Sequence, residues 1–213
     1  IRMFHVGIPI SDYSAAVHEM PVTPQQIDLA KIRICEIYAS IQGEGLLTGV
    51  PSIFIRTSGC NLRCWFCDTP FSSWHPEGEY LSIHQILSRL PDMPPQHVVL
   101  TGGEPMIFSS IAELAERIRS AGYHLTIETA GTLWHDLECD LSSISPKLSG
   151  SAPPTEKGTW HLRHHQRRHR PEVVQKMMQS NYQLKFVVDS PSDAEEVLAY
   201  LNKLEHIDGQ RVL

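Results

Sequence analysis

The segment Cys60-Asn-Leu-Arg-Cys64-Trp-Phe-Cys67 is the most informative stretch of this 213-residue chain, because it holds three of the five cysteines within eight positions. An odd number of cysteines with three so crowded is a poor disulfide framework and more often binds metal. Three thiolates can ligate three irons of a [4Fe–4S] cube and leave the fourth iron open. A zinc site would need a fourth ligand, for which His75, Cys35 or Cys139 could serve. The spacing, without a second Cys-x2-Cys pair, favours iron–sulfur over zinc.

Strands and helices alternate around this segment. Predicted strands cover 31–38, 52–57, 97–100, 125–128, 142–145 and 183–188, and another starts at 211–213. Predicted helices are 83–90 with a Ser82–Gln85 capping box, a stretch around 111–118, 173–178, and one capped by Ser192 and Glu195; residues 149–170 are predicted to be irregular. Such alternation predicts a parallel sheet with outer helices, and about six strands are too few for a closed eight-stranded barrel. A partial barrel and an open α/β sheet both remain possible.

Chemistry-bearing residues follow several of these strands. Four segments lie at the carboxyl end of a predicted strand or just beyond it: the cysteine segment, the turn Thr101-Gly-Gly-Glu-Pro105, Glu128 and Ser145-Pro-Lys147. Functional residues of parallel α/β sheets gather at the carboxyl ends of the strands. We therefore expect these four segments to share one site.

Composition limits the class of protein. The chain is 41% hydrophobic with a formal net charge of −6, which fits one folded domain and argues against a general nucleic-acid binder. No apolar run is long enough to cross a membrane, and no secretory signal is evident, so a soluble cytoplasmic protein is expected. We divide the chain into an N-terminal extension, 1–30, and a core domain, 31–213. Because it begins at Ile1 and stops in a predicted strand, we interpret it as incomplete at its ends.

The cysteine segment resembles the signature of the radical S-adenosylmethionine (SAM) superfamily, Cys-x3-Cys-x-aromatic-Cys, with Phe66 as the aromatic residue. Thr101–Pro105 is similar to that superfamily's Gly-Gly-Glu motif, which holds the methionine amino group. Further segments resemble the 7-carboxy-7-deazaguanine synthase family: Glu36–Gly45, Phe54–Arg56, Gly59–Leu62, Cys67–Thr69, Thr101–Met106, Ile127–Thr129, Ser145–Lys147 and Gln183–Val188. The resemblance implies a partial, TIM-like barrel.

The resemblance also implies a reaction and its residues. Reductive cleavage of SAM at the cluster would start the ring contraction of 6-carboxy-5,6,7,8-tetrahydropterin to 7-carboxy-7-deazaguanine, with loss of ammonia, in queuosine biosynthesis. The implied substrate-binding residues are Ile41, Gln42, Gly43, Glu44, Arg56 and Thr101. The implied SAM-binding residues are Phe66, Gly103, Glu104, Glu128, Ser145, Pro146 and Lys147, and the implied metal ligands are Cys60, Cys64 and Cys67 for the cluster and Thr69 for Mg²⁺. An external electron donor such as flavodoxin and a homodimer are implied as partners.

Some features stand outside this resemblance. Ala130 follows Glu128-Thr129 where the family often has asparagine, so one polar contact to SAM is in doubt. The basic, His-rich run 161–170 is expected to be a solvated loop or helix face, with reductant docking as a second use. Cys35 and Cys139 are expected to be buried as hydrophobic residues rather than to ligate an auxiliary cluster. Alternative functions are a glycyl-radical activating enzyme and, third, a non-enzymatic zinc-binding module.

Overall fold

A seven-stranded sheet forms the centre of the protein, in a computed structural model that describes residues 31–91 and 96–213. The expected extension, 1–30, lies outside the described residues. The strands are β1 (Lys31–Ile41), β2 (Pro51–Thr57), β3 (Glu79–Ser82), β4 (His97–Gly102), β5 (His124–Thr129), β6 (Leu141–Ile144) and β7 (Tyr182–Leu184). Their order across the sheet is β3-β1-β2-β4-β5-β6-β7, so the sheet stays open.

Most of the sheet is parallel. The pairs β2–β4, β4–β5, β5–β6 and β6–β7 are all parallel, as the repeated strand–helix pattern predicts. β1 instead pairs antiparallel with β2 on one side and with the short strand β3 on the other. The expected incomplete α/β barrel is therefore confirmed, with five parallel strands and an antiparallel edge.

Helices cover the sheet and supply the other half of the core. They are α1 (Pro70–Ser73), α2 (Ile83–Ser88), α3 (Ile111–Ser120), α4 (Thr159–Arg168), α5 (Pro171–Met177) and α6 (Pro191–Leu201). The core face of α3 shows the expected helical spacing: its residues Ile111, Leu114, Ala115 and Ile118 are all fully buried. They pack in one cluster with the inward residues of β1, β2, β4 and β5. Among the described residues, no helix is long and apolar enough to span a membrane.

One of the two predicted N-terminal capping boxes is correct, and the other is two residues out of place. Ser82 and Gln85 form the predicted reciprocal capping box at α2. The predicted box at Ser192 and Glu195 is wrong, because α6 is capped two residues earlier by Ser190 and Asp193. Pro191 explains the shift, since proline favours the first helical position and the cap is the residue before it.

The prediction that 149–170 is irregular is also wrong, because α4 spans ten of these residues. The helix is not an entirely solvated face either, since His164 is fully buried. At the far edge, β7 ends at Leu184 instead of continuing to Val188, and the predicted last strand is reduced to a single parallel bridge between Leu184 and Val212.

Two histidines open neighbouring strands at the end of the sheet opposite the cysteine loop. His97 and His124 are register partners at the start of β4 and β5, and their ring centroids are 4.5 Å apart. The Nδ1 atom of each ring is buried without a hydrogen-bond partner. Burial, and then the charge of His124, lowers the pKa of His97 below its usual value. The folded protein therefore resists protonation of His97.

We expect the protein to lose stability as the pH falls from 7.5 to 5.5. A histidine whose pKa is lower in the folded state binds protons more readily when unfolded, so its contribution is lost below about pH 6.5. His97→Phe keeps a ring against His124 but cannot titrate, and its urea midpoint should fall less over this range. Urea unfolding of both anaerobic proteins at the two pH values measures the difference. An equal fall in both proteins would contradict the assignment.

Candidate active site

One cavity of about 560 Å³ lies at the carboxyl ends of the parallel strands and gathers nearly every residue that the sequence singles out. Its walls include Ile41, Gln42, Gly43, Glu44, Arg56, Cys60, Cys64, Phe66, Cys67, Thr69, Thr101, Gly103, Glu128, Ser145 and Lys147. Pro146 instead lines an adjoining cavity of about 210 Å³, which shares Phe66, Lys147 and Val187 with the first. Glu104 lines neither cavity. The size is typical of small-molecule sites.

The three thiols of the cysteine loop border this cavity. Cys64 is close enough to both Cys60 and Cys67 for their charges to interact. Burial raises the pKa of Cys60 to about 12 and that of Cys64 to about 11, so thiolates there need a cation such as iron. Among the described residues, no three His, Cys, Asp or Glu side chains converge tightly enough to hold a single ion. The thiols border a larger space, which fits a cluster that takes one thiolate per iron.

The cysteine loop is docked onto the turn that follows β4. Gly103 N–H donates to Thr57 O at 3.1 Å, and Glu104 N–H donates to Gly59 O at 2.9 Å. A Cβ atom on Gly103 would lie only 2.2 Å from Gly59 O and 2.6 Å from Ser72 O. The glycine is therefore needed for contact between two loops, and not only for approach to a ligand.

The carboxylate of Glu104, which its motif assigns to the SAM ammonium, is engaged here by hydrogen bonds within the protein. The side chain is fully buried. Its Oε1 accepts from Met106 N–H at 3.1 Å and Thr129 Oγ1–H at 2.8 Å, and its Oε2 accepts from Ala130 N–H at 2.9 Å. Burial raises the pKa of Glu104, and these three donors oppose that effect. Glu104 ties the turn after β4 to the end of β5.

A connected set of polar side chains forms another part of the cavity wall. Glu128, at the end of β5, accepts from Gln42 Nε2 at 3.1 Å and from Thr101 Oγ1 at 2.8 Å. Lys185 Nζ lies 2.9 Å from Glu44 and 3.8 Å from Glu128. Its hydrogen bond and charge hold the pKa of the Glu44 carboxyl below its usual range. Glu128 is thus joined to residues expected to bind substrate, although its motif assigned it to SAM.

Arg56 reaches the cavity already held by two neighbours. Its Nε donates to Glu36 at 2.7 Å, and a terminal nitrogen donates to Tyr38 OH at 2.8 Å. Glu36 faces Arg56 directly across the β1–β2 ladder, so the pair follows from the antiparallel register. The two bonds use two of the five guanidinium donors, and the others remain to face a ligand. The Arg56 side chain is 16% exposed, so an anion reaching it would be largely desolvated.

Thr69 ends the cysteine loop immediately before α1. Its hydroxyl makes no capping bond to that helix, and it lies 3.2 Å from Ser72 Oγ and 3.9 Å from Cys67 Sγ. Asp68 lines the same part of the cavity. The thiol of Cys67 and the oxygens of two adjacent residues therefore lie close together, with the hydroxyl oriented by Ser72.

Several cavity residues were not predicted as site residues. They are Tyr38, Ser40, Phe54, Leu62, Asp68, Ser73, Gly102, Thr129, Ala130, Ser143, Lys185 and Val187. Among them, Lys185 forms an ion pair with Glu44. Sequence could have identified Lys185 only if the end of β7 had been placed at Leu184, because the residue then follows a strand end.

The two remaining cysteines lie away from this cavity. Cys139 is partly buried against the hydrophobic core, as expected, and its thiol lies 3.2 Å from Ser142 Oγ. Cys35 is partly buried in β1, where its thiol approaches the carbonyl oxygens of Phe71 and Glu77.

Comparison with known proteins gives consistent matches. Residues 54–179 match the model of the radical SAM superfamily. The 7-carboxy-7-deazaguanine synthase of Rhodopirellula baltica is 47% identical over 179 residues, which are 83% of this chain and 70% of that protein. That of Halobacterium salinarum is 42% identical over 186 residues, or 84% and 72%. The crystal structure of QueE from Escherichia coli superposes with a TM-score of 0.64 at 25% identity, covering 85% of this chain and 82% of that one.

Replacing Glu104 with glutamine should destabilise the folded protein by about 1–3 kcal/mol. An amide presents N–H where the carboxylate accepts hydrogen bonds, so at least one buried donor loses its acceptor. Urea unfolding of the anaerobic protein measures the loss. Glu113→Gln, an exposed site on α3, is the matched control and should be near neutral. Equal unfolding midpoints for the two variants would show that the buried carboxylate is not needed.

Proposed function

We propose, because this chain belongs to the 7-carboxy-7-deazaguanine synthase family of radical SAM enzymes, that it contracts the ring of 6-carboxy-5,6,7,8-tetrahydropterin to give 7-carboxy-7-deazaguanine and ammonia. Its cofactors are a [4Fe–4S] cluster and SAM, with Mg²⁺. The observation that carries the proposal is a single cavity lined both by the three thiols of the cysteine loop and by a set of charged, hydrogen-bonding side chains. The product serves queuosine biosynthesis.

The cysteine side of the cavity is proposed to hold the cluster and SAM. Cys60, Cys64 and Cys67 would ligate three irons, and the open iron would take the amino and carboxylate groups of SAM. When bound and reduced, the pair supplies a 5′-deoxyadenosyl radical. Gly103, Phe66, Ser145 and Lys147 line this cavity, and Pro146 lines the adjoining one; all five would contact SAM. Glu128 lines the same cavity and would reach SAM from its bonds to Gln42 and Thr101. Glu104 would support SAM indirectly, by fixing the turn that carries Gly103.

The opposite side is proposed to bind the pterin. Ile41 ends β1, Gln42, Gly43 and Glu44 follow it, and all four line the cavity together with Thr101. Gln42 and Thr101 share Glu128 as acceptor, so these groups are already oriented for the donors and acceptors of a pterin edge. Arg56 would pair with the substrate carboxylate, held in place by Glu36 and Tyr38. Preorganised groups of this kind lower the cost of positioning a substrate.

Anaerobic incubation tests the function directly. The reconstituted protein is mixed with dithionite, SAM, Mg²⁺ and 6-carboxy-5,6,7,8-tetrahydropterin, and products are identified by mass spectrometry. We expect 7-carboxy-7-deazaguanine, methionine and 5′-deoxyadenosine, and none of them from Cys64→Ala. Formation of 5′-deoxyadenosine without the deazaguanine would reject this substrate and favour another radical SAM activity, such as activation of a glycyl-radical protein. A colourless, iron-free protein would reject the cluster.

Replacing Arg56 with alanine should weaken substrate binding by about 2–5 kcal/mol, the usual cost of removing one partner from a desolvated charge pair. Lysine should rescue poorly, because it lacks the planar fork that matches a carboxylate. Deazaguanine formation at low substrate should fall steeply, while dithionite-driven release of 5′-deoxyadenosine should persist.

The matched control for Arg56 is Arg89→Ala, which removes an exposed ion pair with Glu79 outside the cavity. It should leave both products unchanged. Equal deazaguanine formation by Arg56→Ala and the parent across all substrate concentrations would show that Arg56 does not bind the carboxylate.

Thr69 is proposed to give an oxygen to Mg²⁺, which would bridge to the substrate carboxylate. Mg²⁺ takes oxygen ligands and commonly keeps water or substrate in its shell, so one or two protein oxygens suffice. Chelated enzyme should gain activity when Mg²⁺ is added; Thr69→Ala should blunt the response and Thr69→Ser should keep it. Titration of initial rates with Mg²⁺ measures this. An enzyme indifferent to Mg²⁺ at every substrate level would reject the role.

An acidic electron donor of the flavodoxin class is the proposed partner, and the outer face of α4 is its proposed docking site. The run 159–170 contains basic residues and no acidic one, in a chain of net charge −6. Arg163 is exposed on α4, and the Trp65 side chain beside Cys64 is 56% exposed. Arg163→Glu should slow flavodoxin-driven turnover and leave dithionite-driven turnover unchanged. Equal slowing of both would reject docking there.

The homodimer and a cytoplasmic location are also retained as proposals, on the strength of the family alone. Sedimentation of the anaerobic protein at micromolar concentration tests the first, and a monomer there would reject it. Fractionation of the source cells tests the second, and recovery of the protein outside the cytoplasmic fraction would reject it.

A further inference from the structure

Helix α4 presents a polar face to the cysteine loop. Trp160, His164 and Arg167 have the spacing i, i+4, i+7, which puts them on one side of a helix. The Trp160 ring stacks on Arg63, whose guanidinium carbon lies 3.9 Å from the ring centroid. Arg167 donates to Asn61 O at 3.2 Å. The helix thus contacts the loop at consecutive places between Cys60 and Cys64.

His164 is the buried centre of this face. Its Nδ1 accepts from the backbone N–H of Arg63 at 3.1 Å, and its Nε2 lies 2.9 Å from Ser151 Oγ. The Ser151 hydroxyl donates to Leu148 O at 2.6 Å, so its oxygen is the acceptor for His164 Nε2–H. The hydrogen bonds therefore define one neutral tautomer, protonated on Nε2 and bare on Nδ1.

This series of hydrogen bonds joins two segments on the cofactor side of the cavity. It starts at the Arg63 amide, between two cluster cysteines, and ends at the carbonyl of Leu148, directly after Ser145-Pro-Lys147. Parallel bonds strengthen the link: Trp65 N–H donates to Ser151 O at 3.2 Å, and Trp65 Nε1–H donates to Gly150 O at 2.8 Å. Arg63 itself donates to Cys60 O and Leu62 O at 2.7 Å each, which closes the loop around its own side chain.

We propose that His164 is a positioning residue that fixes the cysteine loop relative to segment 145–151. The distance between the cluster and the SAM-binding residues is thereby held constant. Both ring nitrogens are used by protein groups, so His164 is not a metal ligand. The proposal rests on the cluster and SAM assignments above and is independent of the pterin. The buried polar contact explains why a helix with few apolar residues packs here, since both ring nitrogens of His164 have a hydrogen-bond partner.

Variants of His164 separate its two bonds. Asparagine can put an oxygen near the Nδ1 position and restore the acceptor for Arg63 N–H, whereas glutamine reaches the Nε2 position and phenylalanine replaces neither bond. His165→Asn changes the next residue, which is exposed on the same helix, and is the matched control. Ser151→Ala removes the partner of Nε2 without altering the ring.

Hydrogen exchange and electron paramagnetic resonance of the reconstituted holoenzyme test the proposal without substrate. In His164→Phe and His164→Gln, the Arg63 amide should exchange about tenfold faster, as expected for one lost hydrogen bond. The change that SAM causes in the spectrum of the reduced cluster should be altered in both. His164→Asn should recover Arg63 protection, Ser151→Ala should show intermediate exchange, and His165→Asn should match the parent.

Parent-like exchange and a parent-like SAM-induced spectrum in His164→Phe would overturn the proposal. If His164→Phe fails to fold, unchanged Arg63 exchange in Ser151→Ala would overturn it equally. A parent protein that binds no cluster at all would instead reject the proposed function, so the two failures are distinguishable. A normal cluster and SAM response with no turnover of the pterin would leave this proposal standing and reject only the substrate.

Discussion

The close contact between the Gly103 turn and the cysteine loop is the constraint on which the rest of the site depends. Backbone bonds from Gly103 to Thr57 and from Glu104 to Gly59 leave no room for a side chain between the two loops. Glu104 extends the same connection to β5 through Thr129 and Ala130. Because β2, β4 and β5 are parallel neighbours, their carboxyl ends lie side by side and these short bonds can join all three. The loops that border the cavity are thereby fixed by the backbone.

The cavity has two chemically different sides. Burial raises the pKa values of the Cys60 and Cys64 thiols on the cysteine side, so binding of the cluster would also compensate the charge of desolvated thiolates. The other side balances carboxylates against cations, with Lys185 beside Glu44 and Glu128 and Arg56 beside Glu36. A carboxylate substrate would add negative charge to the cavity, and a divalent cation held by Thr69 would offset that charge. The chain's residues thus bind and orient, and the cofactor supplies the radical chemistry.

Much of this arrangement follows from the sequence because it depends on local signals. The apolar, β-branched runs of β2, β4 and β5 predict strands, the Ser82–Gln85 box predicts the start of α2, and the motif residues follow strand ends. What could not be predicted depends on distant partners. Helix α4 has little apolar periodicity, since its inward face is polar and finds its partners in distant segments, the cysteine loop and Ser151. The Glu36–Arg56 pair needs the antiparallel register of β1, and Glu104 turns inward because donors from β5 surround it.

The central claim is that one cavity holds the cluster, SAM and the pterin together, with the thiols on one side and Arg56 on the other. An anaerobic crystal structure of the reconstituted enzyme with SAM and 6-carboxy-5,6,7,8-tetrahydropterin tests it most directly. The account predicts a cluster ligated by Cys60, Cys64 and Cys67, and a pterin whose carboxylate lies within hydrogen-bonding distance of the Arg56 guanidinium. A pterin bound outside this cavity, or a cluster that uses Cys35 or Cys139 in place of one of the three cysteines, would contradict it.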